Sequence, residues 1–492
     1  MSYPINDSQI KQRSLHGVRW MTMQTIVIAM LGPVSQILKA RYLNPTALAG
    51  VAIVMILSGL FRTIANAGMS QTIIQKPELD SKDRFMYFLV ALVVSTAGSL
   101  LLVSVAESIE RLFEVEHVKE LVILLWPFMF LTIWEQYLRA LLHRELLFRG
   151  VAIAESVRRT INLVLLFIFL NTGFDSQSVV FALLVSTLFK VVTLLFLVVR
   201  HRLGDLHCIW KATALRHLVS VGMPIAGKQF LTYTSRRADE IIVGLVLSTE
   251  TLGLYHLAKE TLHQLQTLIV NSFGYVLLPL FSRICHDRSL LTNVYSRVSL
   301  AVSYIVVPVF VGIALTAPDV IPAVFGHEWV GAVYPFQMLS IAMIPIIISA
   351  NLTTSLNYAL GKAKKVLFLE IAVSFPYLAV LYISRFSGLT VILGCILVYN
   401  FLYGLCFQLI SNRSLSLTVL DHFLIYIRVL TRVLVMALAI IGVRFLIAEL
   451  GSSVLRAALT VGAGFISMVT VTYLSDRKAI SELRVLVSRA KR

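Results

Sequence analysis

Apolar residues run through this chain in windows of about 20, the length a helix needs to cross the hydrocarbon of a bilayer. The windows predict about fourteen helices, near residues 17–40, 47–74, 85–106, 118–142, 150–171, 177–200, 215–247, 251–283, 293–316, 331–358, 365–386, 389–411, 420–447 and 453–475. Pro308, Pro345 and Pro376 interrupt late helices, so the pattern also admits about twelve or thirteen spans. One stretch offends it. "TSRRADEIIVG", from Thr234 to Gly244, puts Arg236, Arg237, Asp239 and Glu240 inside an apolar helix. Each such charge costs about 2.5–3.5 kcal/mol at the bilayer centre on insertion scales, so these side chains are expected to face away from lipid.

Composition settles the class. Of 492 residues, 58% are hydrophobic and 14% charged, against roughly 25% charged in soluble domains. The chain is read as an all-α polytopic membrane protein. Its first apolar run is too long and too polar for a signal-peptide core, and no small-residue cleavage site follows, so it is expected to remain as the first span. The net charge of +17 raises nucleic acid as a partner, but no sizeable soluble portion could carry such a surface.

The loops explain the charge better. With the N-terminus inside, cytoplasmic segments hold Lys11 and Arg13; Lys76, Lys82 and Arg84; Arg144 and Arg149; Arg200, Arg202, Lys211 and Arg216. They continue with Arg283 and Arg288, then Lys362, Lys364 and Lys365, then Arg413 and a tail from Arg477 to Arg492. The alternate loops hold Glu107, Glu110, Glu114, Glu116, Asp175, Glu250, Asp319, Glu328 and Glu449, with Arg41, Arg111 and Arg385 as their clear basic members. This alternation predicts that both termini are cytoplasmic. Cys208, Cys285, Cys395 and Cys406 lack metal-ligand spacing, and none falls in a predicted outer loop, so neither a metal site nor a disulfide framework is expected. No Walker-type phosphate loop is present, which argues against an ATP-driven pump, and no cofactor is expected.

A short repeat accompanies the spans. "LNPTALAGV" begins at Leu43 and "LSTETLGLY" at Leu247, aligning Leu43 with Leu247 and Leu48 with Leu252. The copies lie about six helices apart, an even number, which suits a parallel repeat about an axis along the membrane normal.

The first copy opens a longer motif, "LKARYLNPTALAGVAIVMILSGLFRTIANAGMSQTIIQK". With Leu43, Pro45, Leu48, Gly68, Ser70, Ile73, Gln75 and Lys76, it resembles the N-terminal signature of bacterial polysaccharide exporters. These are the Wzx-type lipid-linked oligosaccharide flippases of the polysaccharide transport branch of the MOP superfamily. Ala49 departs from the usual glycine, and Gly50 follows instead. "LGLYHLAKE" from Leu252 looks like the second-half counterpart. Phe325, Gly326, Trp329, Pro335 and Leu339 resemble the motif before helix ten, and Gly361–Lys362 its end. The colanic-acid-exporter-like members are the most similar in character.

That resemblance implies two six-helix lobes, residues 1–200 and 201–411, around a central cavity, with two further helices and a basic tail over 412–492. It implies a transporter rather than an enzyme. The expected substrate is a polyprenyl-diphosphate-linked oligosaccharide, carried across the bacterial inner membrane. Expected partners are membrane lipids and the polymerase and glycosyltransferases of the same pathway, with no nucleic acid.

Helices seven and eight are expected to pair antiparallel about a turn near Thr249. Arg236 and His263 then lie on the order of 20 Å from that turn, near mid-membrane. Lys228, Gln229, Thr232, Arg236 and Asp239 form one polar stripe; His256, Lys259, Glu260, His263 and Thr267 answer it. The stripes build either a salt-bridged seam or a cavity wall. Lys228, Arg236, Arg237, His256, Lys259 and His263 outnumber the acids, which favours an anionic ligand. Asp239, Glu240 and Glu260 are candidates for charge pairs or for a coupling ion. Arg62 is the first-lobe candidate for the same cationic cavity, the equal alternative being that it packs against a backbone carbonyl or a neighbouring helix, and Gln24 could line the same wall.

Other buried charges are assigned structural roles. Glu135 is expected to pair with Arg139 one turn on, and Glu155, Arg158 and Arg159 to snorkel near a helix end. Lys190 and Glu370 are read as lobe-internal; Arg428, Arg432 and Arg444 as packing or lipid-phosphate residues. Trp126, Trp134 and Trp329 fit interfacial anchoring as readily as sugar stacking, with interfacial anchoring the default reading. Two rival functions stay open: a cation-coupled drug exporter, whose cavity should be acid-rich, and a membrane-embedded glycan polymerase or ligase, which should carry a long periplasmic loop.

Overall fold

The computed structural model describes residues 7–65, 70–76, 79–203, 211–415, 417–447 and 452–475. Gly68, Cys208, Glu449, the tail from Arg477 and the side chain of Lys228 lie outside the described residues. Every regular element among those described is a helix.

The chain divides into two compact units, Met1–His256 and Leu257–Arg492. The first contains α1 (Asp7–Tyr42), α2 (Pro45–Ala65), short α3 (Gln71–Gln75) and α4 (Ser81–Phe113). It continues with α5 (Val118–Leu124), α6 (Trp126–Arg144), α7 (Phe148–Asn171), α8 (Gln177–Arg200), short α9 (Ala212–His217) and α10 (Met223–Val246). Helix α11 (Thr249–Ile284) begins in this unit. The second unit contains α12 (Arg288–Val324), α13 (Val333–Pro345), α14 (Asn351–Ala359), α15 (Ala363–Ser384), α16 (Leu389–Leu415), α17 (Val419–Leu446) and α18 (Ser453–Ser475).

Among the described residues, ten helical segments are long and apolar enough to cross a bilayer. Helices α7, α10, α11 and α15 complete the fourteen windows. The first three carry charges that lower their hydropathy, and the apolar part of α15 is the shorter run Phe368–Ser384. The surface is consistent with a lipid solvent: Leu100, Phe196, Phe375 and Phe465 are exposed, whereas Ser58, Thr132, Ser186, Lys190 and Ser299 are buried. This is a multi-pass membrane protein.

Local chemistry sets several helix ends. Asp80 caps α4 by accepting from the Asp83 amide at 2.7 Å, and Asp83 reaches back to the Asp80 amide. Helix α12 continues through Pro308, Pro318 and Pro322, so the first of these prolines does not end it. At Pro345 the α-helix gives way to a π-turn over Ile346–Ala350, which accommodates the missing N–H. The two copies of the repeat touch. A Cβ on Gly253 would lie 1.8 Å from the Pro45 carbonyl oxygen, so only glycine lets α11 approach the start of α2 this closely.

Two expectations need correcting. Trp329 is wholly buried, and Trp134 is half-buried with its ring 4.9 Å from Phe88, so neither sits as an interfacial anchor; Trp126 alone of the three is exposed. Asp319, expected in an outer loop, is buried within α12, where Arg444 Nε stands 3.5 Å from its Oδ2. Arg432 is also buried and lies over the Tyr304 ring at 4.9 Å, a packing role on α17.

Candidate functional site: a cationic cavity in the first unit

Helical spacing collects the polar residues of three helices on facing stripes. On α6 these are Glu135, Gln136, Arg139 and His143; on α7, Glu155, Arg158 and Arg159; on α8, Thr187 and Lys190. Helix α1 adds Met21 and Gln24, and α2 adds Arg62. Together they enclose a cavity of about 240 Å³. The packing of Tyr87, Ile133, Tyr137, Leu141, Val151 and Leu194 in one apolar core holds α6, α7 and α8 in register with α4. Lys190 stands about 20 Å into α8, a helix of about 36 Å, which puts the site near mid-membrane.

Hydrogen bonds make the charges one network. Lys190 Nζ donates to Glu135 Oε1 at 2.6 Å and to Glu155 Oε2 at 2.5 Å. Arg158 grips Glu155 twice, from Nε to Oε2 at 3.1 Å and from Nη2 to Oε1 at 2.5 Å. Arg159 Nε donates to Glu155 Oε1 at 3.0 Å, and Arg139 donates to Gln136. Arg62 differs from these. Its guanidinium stands 5.8 Å from the Phe128 ring centroid, and among the described residues it has no hydrogen bond or carboxylate partner.

Five cations (Arg62, Arg139, Arg158, Arg159 and Lys190) thus face two carboxylates, Glu135 and Glu155. The formal excess of positive charge around this cavity is of the sign that suits an anion. One sequence expectation is extended here and another overturned. Glu135 feels the charge of Arg139 one turn on and also accepts from Lys190 on another helix. Glu155 and Arg158 do not snorkel: both are buried inside the network. A signal for this existed, because Glu155 lies about 19 residues before Phe174 and Lys190 about 16 after it, within one turn of equal depth.

Of the predicted cavity residues, Arg62 lines this cavity, together with Gln24. Others gather where α10 meets α11. Arg237 Nη1 donates to Glu240 Oε2 at 2.7 Å, His256 Nδ1 meets Glu240 Oε1, and the Tyr255 hydroxyl donates to Asp239. Asp239, Glu240 and His256 are buried, and His256 Nε2 has no hydrogen-bond partner among the described residues. These pairings fall one turn nearer the loop than the depth count about Thr249, which set Asp239 opposite Lys259. Arg236 and His263 are exposed, His263 lying 3.4 Å from Gln266; Lys259 and Glu260 are half-buried.

A third cluster lies at the start of α4 and in the segments beside it. Lys211 Nζ sits 2.7 Å from Asp80 and 2.9 Å from Asp83, and Lys76 lies 2.6 Å from Asp83. The Lys211 hydrogen bond holds the Asp80 carboxyl at about 2, and Asp80 and Asp83 in turn raise the lysine.

Similar proteins can now be set beside this geometry. The family described as "Polysaccharide biosynthesis protein" matches residues 38–334. An "uncharacterized membrane protein in cps region" of Klebsiella pneumoniae is 23% identical over 337 residues, 68% of each chain. The lipopolysaccharide biosynthesis protein WzxC of Escherichia coli is 20% identical over 337 residues, 68% of this chain and 67% of that one. Among solved structures, the lipid II flippase MurJ in an inward closed conformation superposes with a TM-score of 0.76 at 14% identity. The match covers 93% of this chain and 99% of MurJ, which shows a shared fold.

Proposed function

Because the chain belongs to the polysaccharide biosynthesis protein family, we propose that it carries a polyprenyl-diphosphate-linked oligosaccharide across the bacterial inner membrane. Alternating access is the mechanism: the cavity receives the head group on one side and delivers it to the other while the polyprenyl tail stays in lipid. The loop charges support an orientation with both termini in the cytoplasm.

One observation carries this reading: a mid-membrane cavity whose cations outnumber its carboxylates, with Arg62 lacking a carboxylate partner among the described residues. A diphosphate supplies the missing negative charge. Guanidinium forks bind its oxygens in pairs. An exporter of cationic drugs would need the opposite balance.

The test uses a strain that lacks this protein and retains the rest of its pathway. Complete lipid-linked units accumulating on the cytoplasmic face are the expected result. Single units already on the outer face, without polymer, would point to a polymerase and end the transport reading.

A further inference from the structure

Resting on the reading of this cavity as an anion site, we propose that Glu155 is the site's built-in occupant. Its carboxylate holds the cations while the ligand is absent and takes them back as the ligand leaves.

The geometry is that of a bound anion. Arg158, Arg159 and Lys190 all converge on this one carboxylate, and both of its oxygens are used. Arg158 binds it with the same two-pronged fork that guanidinium offers a phosphate. Glu135, by contrast, accepts from Lys190. The three cations are not equally committed. The side chains of Arg158 and Lys190 are 7% and 4% exposed, whereas that of Arg159 is 40% exposed and donates a single hydrogen bond to Glu155. Arg159 is therefore the cation to hand over, and Arg62 is the second jaw of the clamp.

The physical need follows from transport itself. Several unopposed cations at low dielectric would bind a diphosphate so strongly that it would not leave. A carrier must also bind differently in its two states. With Glu155 in place, binding is an exchange of one anion for another around the same donors, and release is assisted by the returning carboxylate.

The experiment measures inorganic pyrophosphate binding to the purified full chain in lipid nanodiscs, by calorimetry. Glu155→Gln keeps the shape and removes the competing charge, so it is expected to bind on the order of tenfold more tightly than the unsubstituted protein. Glu135→Gln should tighten binding less, because Glu135 holds no arginine of the clamp. Should Glu155→Gln fail to fold, Glu155→Asp carries the test: its shorter reach releases Arg159, and affinity should still rise. Equal or weaker binding by the folded variant, while the unsubstituted protein binds and Arg62→Ala does not, overturns the occupant role alone. No binding by any form overturns both this role and the anion-site reading beneath it.

Discussion

The two buried charge clusters of the first unit differ in what they leave over. Where α10 meets α11, Arg237 and His256 both meet Glu240, Tyr255 caps Asp239, and the carboxylates are sealed, with only a neutral ring nitrogen, His256 Nε2, left over among these residues. Among α6, α7 and α8, the carboxylates are also satisfied, yet cations remain around an open volume. Both arrangements keep charge off lipid. We read the first as a structural joint and the second, as proposed above, as a place for a ligand. Burial of charge in a membrane helix therefore marks importance, and only the local balance of charge and space separates a joint from a site.

The hardest blow to that contrast comes from Glu240→Ala. It removes the buried carboxylate that Arg237 and His256 share, a loss of about 3–5 kcal/mol. Folded protein should nearly vanish from size-exclusion profiles of detergent extracts. An unchanged profile would mean that the α10–α11 cluster is not a joint.

Arg62→Ala should behave in the opposite way. Protein level and melting should hold, while surface polysaccharide falls by about tenfold or more, in line with losing a charged hydrogen bond of about 1.5–3 kcal/mol. Wild-type polysaccharide in that variant would remove Arg62 from the site.

Gly253→Ala probes how the joint is seated against α2. The added Cβ would meet the Pro45 backbone at 1.8 Å, and overpacking of this kind costs about 1–3 kcal/mol. A clear drop in melting temperature is expected, with transport per folded molecule changed far less.

The smallest effect belongs to the loop cluster of Asp80, Asp83, Lys76 and Lys211. Lys211 depresses the Asp80 carboxyl from 3.8 to about 2, so the stabilisation is present above 3.8 and is lost as pH falls toward about 2. Asp80 is half-exposed, and screening keeps the contribution under about 1 kcal/mol. Melting should be flat from neutral pH down to about 4 and fall slightly below it, and Lys211→Met should make that slope shallower.

Much of the architecture was legible before any coordinates. Apolar runs of bilayer length determine helices because a spanning backbone must satisfy its own hydrogen bonds, and loop charge determines the expected orientation. The motifs around Leu43, Leu252 and Trp329 were enough to mark the family. Arg62 stood out because a single charge in "SGLFRTIANAG" has no neighbour along the chain to neutralise it.

What stayed hidden was the assignment of partners. Glu135, Glu155 and Lys190 each lacked their cross-helix partner: Glu135 was given a neighbour one turn away, Glu155 a nearby helix end, and Lys190 a lobe-internal place with no partner named. Spacing along a helix reports which residues share a face, but not which face of another helix comes opposite. Packing of α6 against α8, and of α7 between α8 and α1, made that choice. The same packing sealed Asp239, Glu240 and His256 together and left Arg236 exposed. Hydropathy alone determined that the chain crosses the membrane many times, because burial in lipid is a property of each segment's own composition. Where the charges meet, and which of them face a cavity, only the tertiary structure decided, because an ion pair belongs to two segments at once.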